Sequence, residues 1–258
     1  MGFSIVSNYP PLEKWYHVMA TATCYVGQLV SLISGDVGGG VIPLAISGTP
    51  DTTELPWGII TATNNRTPTY NSTYMAESIA GLATVALVKA RTDYAFQEGM
   101  MSKGDSAPMV KVALLSRDSI VQGPLKNAAM TTAPGVVTVT TAGDGLGASM
   151  VHSSADMTAV ADNNMYYWRT GNNSGLYRMS HTASGTAASF KTPLPNAIAV
   201  GDTACVINFG LGRQYMTFDA VGMYINMANH TAEVSVDVVG MDLRTAGQET
   251  AQFRFATL

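Results

Sequence analysis

The residues Glu233 to Leu243 place the tightest constraint on the fold. Val234, Val236 and Val238 alternate with Glu233, Ser235 and Asp237. Such a segment separates apolar from polar side chains only when successive residues point to opposite sides, the geometry of a half-buried antiparallel strand. After Val238 the phase slips: Val239 follows directly, and Met241 and Leu243 flank Asp242. A one-residue slip beside Gly240 predicts a β-bulge, which bends a strand and re-aims its faces. The run Phe253-Arg254-Phe255-Ala256-Thr257-Leu258 alternates again, and predicts a C-terminal segment tied into a sheet.

The rest of the chain follows the same rule. Short β-branched runs are separated by Gly, Pro, Asn and Asp clusters, the punctuation of a strand-rich protein. They are Tyr25 to Ile33, Val41 to Ile46, Gly58 to Thr63, Leu82 to Ala90, Val110 to Ser116 and Ile120-Val121, the last closed by Gly123-Pro124. Pro43 predicts an edge strand or a bulge, because proline cannot donate to a ladder. Further runs are Val136 to Thr141, Tyr166 to Trp168, Leu176 to Ser180 and Asp202 to Asn208, while the small-residue stretch Ala142 to Asp162 reads as a long loop. Two stretches carry helical spacing: Leu12, Trp15, Tyr16 and Met19 after Pro10-Pro11, and Met75, Ile79 and Leu82 behind Ser72 as a candidate cap. The expected class is mainly β, with two β-barrel- or β-sandwich-like domains and one or two short helices. The weakly patterned stretch Asn127 to Pro134 divides them into residues 1–130 and 131–258.

Composition narrows the function classes. A chain of 258 residues builds a core without staples. Two cysteines, Cys24 and Cys205, with no CxxC, exclude a disulfide-rich scaffold and a Cys-rich zinc module; whether the two pair is a matter of geometry. Charged residues make up only 12% of the chain and the net charge is −4, so the basic footprint of a nucleic-acid binder is missing. No apolar run approaches the ~18–20 residues of a membrane-spanning helix. The start Met1-Gly2-Phe3-Ser4 lacks the basic and apolar stretches of a secretory signal, so synthesis in the cytoplasm is expected. Polarity is supplied by hydroxyls instead: 28 Thr stand beside 14 Lys plus Arg. Protein–protein interfaces are depleted in Lys, Glu and Asp and enriched in Tyr, Trp and Met, and this chain has 15 Met, 11 Tyr and 3 Trp. The expectation is a homo-oligomeric subunit much of whose surface is covered by neighbours.

No motif carries a chemistry. The histidines are His17, His152, His181 and His230, and there is no GxSxG elbow. His152, Ser153 and Asp156 lie close in sequence, but that is not triad geometry, and His152 reads as a polar loop residue. No HxH, HExxH or DxDxDG pattern occurs, and Asp156 and Asp162 alone do not make a calcium site. Gly38-Gly39-Gly40 and Gly143 to Gly147 lack the Lys and following helix of a phosphate cradle. The 18 Asp plus Glu residues hold no carboxylate pair that stands out for glycoside hydrolysis. The sequons at Asn65, Asn71, Asn172 and Asn229 are chance matches in a Thr-rich chain. The expectation is a protein with no catalytic residues, no metal and no cofactor. The residues singled out are aromatic: Trp15, Trp57, Tyr166, Tyr167 and Trp168 are the interface candidates, with core packing as the plain alternative. Trp57 and Trp168 are also the residues that a sugar-binding platform would use.

The segments Tyr25-Val26-Gly27-Gln28-Leu29-Val30, Pro108 to Leu115 with Val121-Gln122-Gly123-Pro124, and Gly175-Leu176-Tyr177-Arg178 through Ala199-Val200-Gly201-Asp202-Thr203 resemble virion structural proteins of tailed bacteriophages. Within that group the chain resembles capsid decoration, or cement, proteins. The resemblance implies a β-barrel or β-sandwich homotrimer on the capsid exterior that ties neighbouring copies of the major capsid protein together, with no direct nucleic-acid or membrane contact. The alternatives are a tail or fibre module that recognises a host-surface glycan, and a ring-forming tail protein.

Overall fold

The computed structural model describes residues 2–7, 10–18, 22–32, 41–43, 56–64, 69–72, 74–80, 108–126, 135–143, 145–153, 164–184, 186–207, 209–219, 221–226 and 234–256. Twenty strands and no helix occur among them, so the chain is mainly β. It divides into two compact units. The first comprises Met1–Pro124, Phe218–Tyr224 and Phe253–Leu258; the second comprises Leu125–Thr217 and Ile225–Gln252. Where the sequence offers one boundary between residues 130 and 131, the chain passes between the units four times. All four passages fall within or beside strands, and only the first has a compositional mark, Gly123-Pro124, at it.

The first unit contains β1 (Ser4–Ile5), β2 (Glu13–His17), β3 (Thr23–Tyr25), β4 (Leu29–Leu32) and β5 (Val41–Pro43). It continues with β6 (Pro56–Thr63), β7 (Thr69–Asn71), β8 (Ala76–Ala80), β9 (Met109–Leu114) and the start of β10 (Val121–Lys126). Five of these form a sheet in the order β2-β9-β6-β4-β5. The sheet turns back on itself, since Val18, just past β2, bridges Val41 of β5. Apart from that bridge β5 is an edge strand, which is where Pro43 is tolerated. A second sheet, β3-β8-β7, contributes to the same core: Cys24 and Ile79 pack with Val18, Val30, Val41, Ile60, Val110 and Val112. The run Tyr25 to Ile33 is two strands, because Gly27 turns the chain with φ +85°. A Cβ there would lie 3.0 Å from the Cα of Gly2. A separate aromatic cluster joins distant segments of this unit: Phe3 meets Phe218 at 5.5 Å, and Phe253 meets Phe218 at 5.9 Å and Phe255 at 5.3 Å between ring centroids.

Both helix expectations are corrected here. Residues 13–17 form β2, paired antiparallel with β9 from Glu13↔Ala113 to His17↔Met109. Lys111 closes an ion pair with Glu13 at 2.5 Å, and its hydrogen bond holds the Glu13 carboxyl below the usual range. The aromatic, extended Lys14-Trp15-Tyr16-His17 favours a pleated surface over the helical spacing. In the second case Asn71 pairs with Ala76 across a hairpin turn. The Asn71 side chain accepts from the Tyr74 amide at 3.1 Å, and Met75 adopts φ +51°. Ser72 therefore sits in a turn, not at a helix cap.

The second unit contains β11 (Val136–Ala142), β12 (Ser149–His152), β13 (Met165–Trp168), β14 (Tyr177–Ser184), β15 (Ala187–Phe190) and β16 (Thr203–Ile207). These six close a barrel in the order β11-β12-β15-β14-β13-β16, with every recorded pairing antiparallel. Hairpins join β13, β14 and β15, while β12 lies beside β15 and not beside β13, a Greek-key crossing. Inside are Val137, Val139, Met150, Tyr166, Trp168, Ala188, Phe190, Leu194, Ile198, Ala204 and Val206. Part of the segment expected to be a loop, Ala142 to Asp162, is thus the barrel strand β12. Its weak pattern reflects Ser149 and Val151 facing outward among small residues. Beyond the barrel come β17 (Gly212–Phe218), β18 (Ile225–Asn226), β19 (Val234–Asp242) and β20 (Thr250–Phe255). Leu125 and Lys126 of β10 pair parallel with Ile225 and Asn226, so Gly123-Pro124 lies within a strand instead of ending one. The alternating run of β19 pairs with β17 without interruption from Gly212↔Val238 to Met216↔Val234. The phase slip after Val238 falls beyond Gly212, the first residue of β17. Gly38-Gly39-Gly40, the Leu82 to Ala90 run, the Asn127 to Pro134 boundary, His230, Asp156 and Asp162 lie outside the described residues.

Candidate functional site

The five aromatic candidates divide by strand geometry. On β13 successive side chains face opposite ways. Tyr166 and Trp168 point into the barrel and are fully buried. They pack on Phe190 at 5.3 and 6.3 Å between ring centroids. With no exposed surface, neither meets a partner or stacks on a sugar; they belong to the core. Tyr167, between them, faces out. In the first unit Trp15 is half-buried on β2 opposite Lys111. Trp57 on β6 is 38% exposed, and its indole N–H donates to the Tyr16 hydroxyl at 3.1 Å.

Tyr167 opens onto an apolar groove of about 270 Å³ lined by Met165, Tyr177, Leu211, Val239, Met241 and Leu243, with Gly175 and Gly240 among its walls. One wall is the outer face of β13 and β14; the other is the end of β19. From the groove an apolar strip continues over the β17–β19 ladder. Because Met216, Val236 and Val238 point inward and are buried, their neighbours Leu211, Arg213, Tyr215, Ser235, Asp237 and Val239 point outward. Tyr215 is 56%, Tyr177 50%, Leu211 46% and Val239 41% exposed. In the middle of the strip Arg213 faces Asp237 across the ladder, with Nε donating to Oδ1 at 2.6 Å and Nη2 to Oδ2 at 3.4 Å. At the far end Arg244 forks onto Asp242, and that hydrogen bonding holds the Asp242 carboxyl below its usual range.

A buried ion pair fixes the loop that ends the groove. Arg169, just past β13, donates through Nε to the Leu243 carbonyl at 2.9 Å and through Nη2 to Glu249, whose side chain has no exposed surface. Removing either partner would leave the other charge buried and alone, which is why such pairs hold loops in place. Two other buried titratable groups, His152 and Asp219, are hydrogen-bonded to their neighbours. His152 is corrected from a loop to β12; its Nδ1 lies 2.6 Å from the Ser153 carbonyl, which only accepts, so Nδ1 carries the proton. Its Nε2 lies 3.4 Å from the Tyr166 hydroxyl. The Ser153 hydroxyl accepts from the Thr138 amide at 2.9 Å. In the first unit Asp219 accepts from the amides of Met223 and Tyr224 at 2.5 and 2.8 Å, while burial pushes its carboxyl up. Cys24 and Cys205 are both free and buried, and desolvation pushes each thiol up to about 12.

Among the described residues no three His, Cys, Asp or Glu side chains are grouped as a metal site would need. Sequence reasoning does not single out Leu211, Arg213 or Tyr215. The signal for them is the alternation of Arg213 and Tyr215 with Gln214 and Met216, weaker than that of β19 because Gln214 interrupts its apolar side. The chain matches no protein-family model, no curated protein and no solved structure.

Proposed function

We propose that this chain is a non-enzymatic structural subunit of a virion that decorates and stabilises a capsid. It works as a homo-oligomer, a trimer, on the capsid exterior in contact with the major capsid protein. The observation that carries the reading is the exposed apolar strip of the second unit, where tyrosine, leucine, valine and methionine side chains stand open beside self-neutralised ion pairs. Exposed apolar patches rimmed by polar groups mark interaction surfaces, and a surface low in charge loses little on desolvation when covered. Symmetry then multiplies weak contacts into avidity. The test is co-sedimentation of the purified chain with capsid shells stripped of accessory proteins. Saturable binding that raises the melting temperature of the shells is the expected result, and shells that neither bind the chain nor gain stability would refute it.

A second reading is favoured by Trp57. It is exposed and oriented by Tyr16, as an aromatic platform for a surface glycan would be, whereas Trp168 is not. Glycan-array binding that disappears in Trp57→Ala would replace the first reading with this one.

A further inference from the structure

We infer that the outer face of β17 and β19 is where copies of this chain meet, with Arg213 of one copy set against Asp237 of the next; the inference rests on the homo-oligomeric part of the reading above and names its surface. The register fixes the geometry. Arg213 pairs with Asp237 and Tyr215 with Ser235 on adjacent strands, so one cation and one anion stand side by side on a face otherwise made of Leu211, Tyr215, Val239 and Ser235. Arg213 and Asp237 already neutralise each other, so the face has no net charge to attract an acidic or a basic partner. What it has is a short, directed pair of opposite charges. A second copy, turned about a symmetry axis through this face, brings the complementary arrangement automatically: its carboxylate lies over the first guanidinium and its guanidinium over the first carboxylate. That reciprocal exchange belongs to a two-fold axis; about a three-fold axis each Arg213 instead meets the Asp237 of the next copy, and three such contacts close a ring. The guanidinium suits the role because its planar fork serves two carboxylates at once, and Tyr215 and Leu211 supply the apolar contact around it.

The experiment uses the full chain in four samples: the parent, Arg213→Asp, Asp237→Arg, and an equal mixture of the two variants, each measured by equilibrium sedimentation. Arg213→Asp leaves a face with two acids, and Asp237→Arg leaves one with two bases. The parent should self-associate. Each variant alone should associate about tenfold more weakly or worse, because like charges are brought face to face. The mixture should associate more tightly than either variant alone, an effect that damage within one copy cannot produce. Tyr215→Ser, which carries no new charge, should also weaken association while leaving the melting temperature unchanged. Association that is unaffected by all three substitutions, a mixture no tighter than its components, or a monomeric parent would overturn the inference. The outcomes separate it from the functional reading: a chain that binds shells through another surface overturns only the inference, and a chain that associates through this face but binds no shell overturns only the capsid role.

Discussion

The two units solve the same problem with different side chains. The first builds its core from Val18, Val30, Val41, Ile60, Ile79, Val110 and Val112 around Cys24, inside a sheet that meets itself at a single bridge. The second closes its barrel completely and fills it with Tyr166, Trp168 and Phe190. A closed barrel has no free strand edge, so a partner must be met by side chains on its outer face, whereas an open sheet still offers main-chain groups at its margin. The exposed apolar strip of the second unit starts on the outer face of β13 and β14 and runs onto β17 and β19, which belong to a separate sheet.

The contrast is broken or sharpened by substitution. The largest effect should come from Trp168→Ala, which empties the middle of the barrel and should cost about 3–5 kcal/mol in urea denaturation. Ile60→Val in the first unit should cost only about 0.5–1.5 kcal/mol, because a β-branched core loses one methyl group. Equal losses would erase the distinction between the cores. Next, Arg169→Met should cost about 3–5 kcal/mol, because it strands the Glu249 carboxylate. Arg169→Lys, which keeps the charge beside Glu249, should cost less than Arg169→Met; equal losses would mean that packing, not charge, holds the loop.

Asp219→Asn should have a smaller and pH-dependent effect. Burial raises the Asp219 carboxyl in the folded chain, so its favourable contribution is present below the unfolded carboxylate range and is lost as pH rises through the folded value. The amide keeps an oxygen for Met223 and Tyr224 but carries no charge. The variant should therefore gain on the parent as pH climbs from about 4 and then hold a constant advantage, measured as the difference in urea midpoints. A constant difference across that range would contradict the assignment.

The smallest expected effect is none at all. With thiols pushed up to about 12, neither Cys24 in one unit nor Cys205 in the other should react with a thiol reagent at pH 8 until denaturant is added. Fast labelling of one of them would show that its unit opens locally and the other does not.

The class of the fold was legible because strand alternation survives wherever one face is buried: β19 and β20 are visible in their valines and phenylalanines. The helical spacings at 12–19 and 72–82 misled because a few apolar residues three and four apart also occur in short strands beside turns, and pairing with β9 and β7 decided the matter. Strand β12 was hidden because its outward residues are small, and the interleaving of the units was hidden because three of the crossings carry no compositional mark. For the surface, Tyr167 was legible as an aromatic beside two others. Which of the three faces outward depends on strand phase, and the partnership of Arg213 with Asp237 depends on register, which joins residues that the sequence keeps apart.

The central claim is that this chain functions as an assembled structural subunit. The mass of the purified full-length protein in solution, followed over a wide range of concentration, tests it most directly. A species about three times the 27.1 kDa of one chain, persisting on dilution, is what the account predicts, and a protein that stays at the mass of one chain up to high concentration would contradict it.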